Sequence, residues 1–410
     1  MASVIVVDND LKDSIKEYAQ VLDGLNGNTE LATKVESLLP TQQDQSITNK
    51  KELYTTLQQA STVDTLKKLT DKEFEPTIYL LIHILSELDS VDAVLNNESS
   101  PVYNLVLSVN PQQPLSLRDR KSIRSTSVLS ILSTIFNLIP SNSKTRIYVI
   151  QQILKVIKTS DVEFNAIEDN ISANLVNWLQ ESNASEDEIK SIFWDFIELD
   201  TGYSLKSLNF IKSFTHKFAV SEPELTKLIK FALSSKVVDV SFLVNNNVAS
   251  ALKKNTNDKL IQLFTNYVKG EILPTEDISS TDSSLPANFI HQKSRILNLA
   301  RFFANKSLSP DHDDIVFKYS EIENVSSSIE LEELLVEAIK AGVLEGKINQ
   351  IEETFLLSRV NRFLLAGEEE ANVENWNLVK KSLQQWLDSI TNIDDIVRTT
   401  RENIVNSSAN

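Results

Sequence analysis

Residues 330–365 read ELEELLVEAIKAGVLEGKINQIEETFLLSRVNRFLL, and this stretch decides the fold of the C-terminal part of the chain. Its first third predicts a helix from about Ser328 to Ala341. Ser327-x-x-Glu330 is a capping box that satisfies the free N–H groups at a helix start. Gly342 supplies the left-handed residue at which helices commonly end. Both ends of this helix are therefore encoded locally.

The rest of the stretch predicts two short strands. Residues 347–349 alternate polar and apolar side chains, residues 350–353 form a polar turn, and residues 354–360 are rich in β-branched and large apolar side chains. Upstream, a short helix is predicted from Ser309 through Tyr319, because the serine can cap it and a proline follows. Two helices followed by a two-stranded wing predict a winged helix over residues 309–366.

The middle of the chain has a repeating pattern of turns. Turn signals recur about every twenty residues, and the segments between them carry apolar residues at helical spacing. Capping boxes at Ser185-x-x-Glu188 and Ser221-x-x-Glu224 mark two of the helix starts. Short helices with one apolar face bury that face by stacking on neighbouring helices. The pattern predicts a right-handed helical-repeat solenoid over residues 61–305.

The fold class predicted for the whole chain is mostly all-α, with β-structure only in the small wing. Two polar segments, residues 40–51 and 275–286, are predicted to be exposed loops or linkers. The predicted parts are an N-terminal helical segment at 1–60 that contains the linker 40–51, the solenoid at 61–305, the winged helix at 309–366 and a C-terminal helix at 373–405.

The C-terminal helix has the sharpest periodicity in the chain. Its apolar residues follow alternating steps of three and four, which is the pattern of a coiled-coil seam. The seam consists of Trp376, Val379, Leu383, Trp386, Ile390, Ile393 and Val397. Either the helix lies as a lid on the solenoid, or it binds partner helices in a bundle. We favour partner binding, because Trp is enriched at binding hot spots and the seam contains two.

Composition argues against several classes of function. Among 410 residues, 57 acids and 40 Lys or Arg give a net charge of −17, which disfavours free nucleic acid as the main ligand. The seven Gly residues stand in no phosphate-binding motif, no Cys is present, and no two of the four His residues have metal-ligand spacing. No combination of nucleophile, base and orienting residue can be assembled. We therefore expect no catalytic residues, no metal and no cofactor.

The sequence also predicts a cytoplasmic location. The N-terminus has no basic region ahead of an apolar run, so it does not resemble a signal peptide. The apolar runs are far shorter than the roughly 20 residues of a membrane helix. The absence of Cys fits a reducing compartment.

Charge is unevenly distributed along the chain. Residues 117–158 carry a net charge of +7, whereas residues 161–201 carry −10. The basic belt, as we call it, consists of Arg118, Arg120, Lys121, Arg124, Lys144 and Arg146. It could dock an acidic partner or touch RNA. The interpretation we favour is that it neutralises acidic helices stacked beside it.

The second helix of the predicted winged helix occupies the position that enters the DNA major groove in DNA-binding proteins. Here Glu330, Glu332, Glu333 and Glu337 against Lys340 give it a net charge of −3. Such a helix repels phosphates. We therefore expect it to contact protein, with no sequence-specific binding to DNA.

Residues 330–365, and above all AIKAGVLEGKINQ at 338–350, resemble the winged-helix half of PCI domains. These domains occur in scaffold subunits of the proteasome lid, the COP9 signalosome and translation initiation factor 3. The resemblance implies helical repeats that run into a winged helix, association of neighbouring subunits through their winged helices, and C-terminal helices gathered into a bundle.

Within this family, residues 116–157, residues 225–252 and the tail around Trp386 are similar to the initiation factor 3 branch. The similarity implies a non-catalytic scaffold whose partners are other PCI and MPN subunits of the factor and, through the complex, the small (40S) ribosomal subunit. It further implies a role in 43S preinitiation complex formation and mRNA recruitment. The alternative is a PCI scaffold subunit of the COP9 signalosome or the proteasome lid.

Overall fold

The computed structural model describes residues 9–40, 47–113, 122–160, 162–306, 316–322, 325, 327–361 and 369–408. The chain divides into two compact units, Met1–Thr201 and Gly202–Asn410. Both units are built mainly from helices, and the second also contains a small antiparallel sheet. The predicted fold class, mostly all-α with a small β-wing, is confirmed. The right-handed course of the solenoid and the four-part division of the chain stay predictions.

The first unit consists of helices, most of which are joined by connections of two to six residues. Sequential helices such as the first two pack against each other through their apolar faces, as in a helical-repeat domain. In the described residues these helices are α1 (Leu11–Asn26), α2 (Glu30–Leu38), α3 (Lys50–Ala60), α4 (Val63–Leu66), α5 (Asp71–Leu88), α6 (Val91–Leu95), α7 (Pro101–Val109), α8 (Ser125–Leu138), α9 (Thr145–Thr159), α10 (Phe164–Ile171), α11 (Leu175–Glu181) and α12 (Glu186–Ile197).

Polar side chains fix how α5 and α8 pack. Asp71 Oδ1 accepts a hydrogen bond from the Ser127 hydroxyl at 2.8 Å, and Glu75 Oε1 accepts one from the Ser130 hydroxyl at 2.7 Å. The two acids lie one turn apart on α5, and the two serines lie nearly one turn apart on α8. A shift of either helix by a turn would leave these part-buried groups unpaired, which costs stability. These two hydrogen bonds therefore set the register of α5 against α8.

The second unit begins with helices and ends with a sheet and a long helix. Its described elements are α13 (Leu205–Lys217), α14 (Glu222–Ser234), α15 (Asn246–Lys254), α16 (Lys259–Val268), α17 (Thr275–Thr281), α18 (Ala287–Lys306), β1 (Val316–Lys318), α19 (Ser328–Lys340), β2 (Leu344–Asn349), β3 (Thr354–Val360) and α20 (Glu369–Ser408). The predicted capping boxes at Ser185 and Ser221 are both formed, at the starts of α12 and α14.

The sheet packs on α18 through three phenylalanines. Its strand order is β1-β3-β2, and both strand pairs are antiparallel. Phe317 of β1 lies opposite Phe355 of β3. The two rings lie 5.0 and 5.2 Å from the ring of Phe303 on α18, and all three side chains are fully buried. Aromatic contacts of this kind add to the stability gained by burial, so the cluster fixes the sheet on the helix.

The predicted helix and hairpin of the winged helix are present, with boundaries shifted by up to three residues. Ser327 Oγ accepts a hydrogen bond from the Glu330 N–H at 3.2 Å, and Gly342 has φ of 72° at the end of α19. The capping box forms only in part, because the Glu330 carboxylate binds the Arg295 guanidinium of α18 at 2.5 Å. A tertiary ion pair has replaced the local hydrogen bond.

The predicted helix from Ser309 through Tyr319 is wrong where the structure describes it. Residues 316–318 form β1, and Tyr319 starts a short 3-10 turn. Phe317 is buried while its two neighbours are exposed, which is the period-two alternation of a strand. Residues 307–315 lie outside the described residues. Three residues are too few to show this alternation against the helix-start signal upstream.

The predicted exposed loop at residues 275–286 contains a helix, α17. Glu276 and Asp277 lie in its first turn, where acids interact favourably with the helix dipole. Ile278 is fully buried and anchors the helix. Of the other predicted loop, residues 40–51, residues 41–46 lie outside the described residues, and Lys50 begins α3.

A buried lysine joins α18 to α14. Lys293 is 3% exposed, and its Nζ donates hydrogen bonds to the carbonyls of Ala232, Leu233 and Ser235 at 3.3, 3.2 and 2.8 Å. These carbonyls belong to the C-terminal end of α14, where a helix has acceptors without partners and a partial negative charge. Burial lowers the pKa of the Lys293 ammonium to about 7.

Gly346 of β2 is predicted to be intolerant of a side chain. A Cβ there would lie 2.5 Å from the Leu356 carbonyl oxygen and would overlap the Phe355 ring. We expect Gly346→Ala to lower the free energy of unfolding by about 1–3 kcal/mol through overpacking. Gly24→Ala is the control, because open space surrounds this α1 residue and helical Gly→Ala adds about 0.5–1 kcal/mol. Urea unfolding measures both; equal effects would contradict the packing argument.

Lys293 should give the stability of the second unit a distinctive pH dependence. The unfolded chain keeps the lysine proton up to about pH 10.4, whereas the folded chain releases it near pH 7. Between these values the unfolded state binds more protons, so the free energy of unfolding rises with pH, by at most about 1.4 kcal/mol per pH unit.

Urea unfolding at pH 7 and pH 9 tests this dependence. Lys293→Met should lose the rise, whereas Lys254→Met, which removes an exposed lysine of α15, should keep it. An unchanged pH dependence in Lys293→Met would show that the lysine does not titrate on unfolding.

Candidate protein-interaction surfaces

The helix α20 carries the whole predicted seam on one continuous element. It has 40 residues, which corresponds to a length of about 60 Å at 1.5 Å per residue. Val379 is half-buried, and the other six seam residues are exposed. Those six are Trp376, Leu383, Trp386, Ile390, Ile393 and Val397, with exposed fractions between 44% and 66%. The structure therefore leaves the seam open to solvent.

Two further apolar residues widen the seam. Leu387 and Ile396 lie beside it and are 55% and 66% exposed. Sequence reasoning missed both, because they fall outside the strict three-and-four spacing. Every residue from 383 to 401 is exposed, on all sides of the helix. A helix with this much apolar surface is stable in water mainly when another surface covers it.

The acids of α19 are held by contacts within the winged helix and α18. Besides the Glu330–Arg295 ion pair, Glu332 accepts hydrogen bonds from the Tyr319 hydroxyl at 3.1 Å and from the Gln350 amide at 2.6 Å. Burial, together with the Glu332 carboxylate, raises the pKa of Tyr319 to about 12, so its hydroxyl stays protonated and donates. The carboxylates thus join α19 to the wing.

The outward face of α19 has apolar residues where a DNA-reading helix would have basic ones. Glu337 accepts a hydrogen bond from the Gln292 amide of α18 at 3.2 Å. Ile329 and Val336, two turns apart on the outward face, are 73% and 39% exposed. Lys340, one turn after Val336, is the exposed cation of this helix, so the face gives phosphates little cationic match, and its contact with protein stays a prediction.

Among the described side chains of the second unit, the most exposed large apolar one lies at the tip of the wing. Ile351, in the turn between β2 and β3, is 96% exposed. Asn349 holds this turn, since its side-chain oxygen accepts the Glu352 N–H at 3.3 Å and its amide donates to the Glu352 carboxylate at 3.1 Å. Sequence reasoning treated this segment only as a polar turn. A single isoleucine between polar residues in a turn was the sequence feature that could have indicated an exposed apolar side chain there.

A cavity of about 260 Å³ lies between α18 and α19, lined in part by Arg295, Arg301 and Asn305. Arg295 is paired with Glu330, and the Arg301 guanidinium donates to the Lys269 carbonyl at 2.5 Å. Both arginines thus bind groups of this chain. The cavity brings together no nucleophile and base.

Part of the basic belt is engaged within the first unit. The Arg124 N–H donates to Asp71 at 2.8 Å, and its side-chain Nε lies 3.9 Å from the same carboxylate. The Arg146 guanidinium lies 4.4 Å from the centre of the Phe136 ring, and its Nε donates to the Ile139 carbonyl at 3.1 Å. These contacts join Arg124 and Arg146 to groups of the first unit that lie outside the acidic segment at 161–201. Arg118, Arg120 and Lys121 lie outside the described residues.

Lys144 lies close to the acidic helix α12. Hydrogen bonds from the backbone and hydroxyl of Ser185 lower the pKa of Glu188, and the positive charge of Lys144 lowers it further. This is one attraction between the positive and negative segments, and the neutralising role of the belt stays a prediction. Whether the belt also contacts RNA or an acidic partner stays a prediction.

The described residues contain no group of three or more His, Cys, Asp and Glu side chains placed to hold a metal ion. Within the same ranges, each helix is too short or too polar to cross a membrane. The feature that stands out among the described residues is the exposed apolar stripe of α20.

No model of a known protein family matches the chain. Individual proteins do match it over most of its length. A protein of Emericella nidulans named eukaryotic translation initiation factor 3 subunit M is 25% identical, over 100% of this chain and 92% of its own length. Proteins with the same name from Aspergillus terreus and Phaeosphaeria nodorum are 24% and 25% identical, over 98% and 82% of this chain and 89% and 75% of their own lengths.

These alignments reach well beyond the segments that suggested the relationship. The sequence similarity at residues 116–157, at 225–252 and around Trp386 pointed to subunit M in particular, and that resemblance is confirmed. The Emericella alignment covers the full chain and therefore also includes the residues before 116. The chain is thus similar, over nearly its whole length, to subunit M of eukaryotic translation initiation factor 3.

Proposed function

We propose that the protein is a non-catalytic scaffold subunit of eukaryotic translation initiation factor 3. The exposed seam of α20 is the observation that carries the proposal, because a 40-residue helix with an open apolar stripe needs partners to cover it. The full-length similarity to proteins named subunit M supplies the identity of the complex. The winged helix and α20 are the parts through which the subunit assembles.

The seam binds partner helices by burying apolar side chains. Each fully buried large aliphatic or aromatic side chain contributes about 1.5–3 kcal/mol. Trp376 and Trp386 are the expected hot spots, because their large rings lose the most water-exposed surface on binding. Seven such residues on one face are enough to hold the subunit in a helical bundle with other subunits.

The winged helix supplies a second, smaller contact. Its outward apolar residues, Ile329 and Val336 on α19 and Ile351 at the wing tip, are separated from the seam of α20 along the chain. Partners of this surface are the winged helices of other PCI subunits, and the MPN subunits complete the complex. Two separate contacts fix the orientation of the subunit, which a single helix could not do.

Through the complex, the protein supports 43S preinitiation complex formation and mRNA recruitment to the 40S ribosomal subunit in the cytoplasm. Purification of the tagged native protein followed by mass spectrometry tests this assignment. Subunits of initiation factor 3 should co-purify at comparable amounts. Recovery of COP9 signalosome or proteasome-lid subunits in their place would overturn it.

A double substitution in the seam tests the role of α20. Leu383→Asp with Trp386→Asp places two charges in the stripe, and their desolvation opposes any apolar contact. We expect the isolated chain to stay folded, since both side chains are exposed, and its recovery in the complex to fall by at least about tenfold, equivalent to 1.4 kcal/mol.

The matched control places two aspartates on the opposite side of the same helix. Gln385→Asp with Asn392→Asp adds the same charge two turns apart and away from the seam. Co-purification with tagged partner subunits and circular dichroism of the free chain measure assembly and folding. Full incorporation of the seam variant, or equal loss with the control, would contradict the proposal.

A further inference from the structure

The residues on one edge of the seam of α20 have an order of charges that is complementary to its own reverse. In heptad notation, position a holds Trp376, Leu383, Ile390 and Val397, and position d holds Val379, Trp386 and Ile393. Position e, directly beside d, holds Lys380, Leu387 and Asp394, all exposed. Read along the helix, this edge is basic, apolar, acidic. Read backwards, it is acidic, apolar, basic.

This order suits two copies of α20 that lie antiparallel. If the two-fold axis passes beside Asp388, Lys380 of each copy lies next to Asp394 of the other, and the two copies of Leu387 lie together. Each dimer thus has two opposite-charge pairs, one on each side of a central apolar contact. Charges at such flanking positions set partner choice and orientation in coiled coils.

The same register fills the core of the pair. Leu383, Ile390 and Val397 at position a then each face a residue at position d of the second copy, whereas Trp376 faces Thr400. The layers are Trp386 with Ile390, Leu383 with Ile393, and Val379 with Val397, each occurring twice. They extend over about 27 Å at 1.5 Å per residue. Each Trp386 ring lies against a smaller isoleucine, which avoids crowding of two tryptophans in one layer.

Other arrangements pair the flanks badly. Moving the antiparallel pair by one heptad in one direction places Lys380 beside Arg401, and in the other direction beside Leu387. A parallel pair places Asp394 beside Ser389 and stacks each Trp386 on its own copy. Like charges and charge–apolar neighbours disfavour the two shifted registers, and the parallel pair loses the attraction between Lys380 and Asp394. Of these arrangements, the first antiparallel register is the one that pairs opposite charges.

We propose that α20 is a self-association site, at which a second copy of this chain binds antiparallel when partner subunits are absent. Lys380 and residues 383–401 are exposed and Val379 is half-buried, so most of the proposed interface is open to a second helix. The second copy covers the same seam that partner helices use. The homodimer is therefore the unassembled form of the subunit, and it gives way when the partners bind.

Charge reversal in the full-length chain tests the pairing. Purified alone at about 50 μM, well above the micromolar end of interface affinities, the wild-type chain should have twice its monomer mass by light scattering. Lys380→Glu replaces two attractions by two repulsions and should raise the dissociation constant at least about tenfold. Lys380→Glu with Asp394→Lys should restore it. Lys381→Glu makes the same change at the next residue, which lies on the side of the helix away from the interface, and should leave the dissociation constant unchanged.

Cross-linking tests the orientation, which the absence of Cys makes simple. Leu387→Cys should be joined to its own copy by a short bis-maleimide, because the two positions meet near the axis. Ile393→Cys should not, since its two copies lie about 15 Å apart along the antiparallel pair. In a parallel pair the two copies of Ile393 would share a core layer, and this result would be reversed.

A monomer at every concentration overturns the proposal. So does a dimer that Lys380→Glu leaves unchanged, or one that cross-links through residue 393 and not through 387. These measurements use the chain without its partners. Their failure would therefore leave the scaffold role intact, whereas failure of the co-purification experiment would not affect the homodimer.

Discussion

One constraint runs through the whole chain: a short helix with a single apolar face must have that face covered. In the first unit, sequential helices cover one another, and polar pairs such as Asp71–Ser127 fix how they pack. In the second unit, α18 covers the sheet through the phenylalanine cluster around Phe303. In the described chain the apolar face of α20 is left exposed. The proposed role as a scaffold subunit depends on this uncovered face.

The sequence predicted what depends on neighbouring residues and missed what depends on distant ones. Ser185 and Ser221 cap their helices as local rules require, and the strand at 354–360 has its predicted bounds. The strand β1 is visible only through its pairing with β3, since three residues carry too little pattern. The half-formed capping box of Glu330 has the same origin, because Arg295 competes from another helix.

The candidate site divides in the same way. The seam of α20 was predictable residue by residue, since it depends on helical periodicity alone. The exposed Ile329 and Ile351 were not, because exposure depends on which neighbours a fold supplies. Nor was the role of Lys293, whose three carbonyl acceptors come together only when α18 packs against the end of α14. The exposure of these isoleucines and the hydrogen bonds of the lysine have clear physical causes in the folded chain. Residue spacing in the sequence does not indicate them.

The length of α20 has a further consequence. At about 60 Å, it is longer than a small folded domain is wide, and its apolar stripe begins and ends at points about 30 Å apart. Two different proteins can therefore bind the two halves of α20 at the same time without contacting each other. In that arrangement the helix acts as a rigid spacer, which fixes the distance between two components of an assembly that do not contact each other.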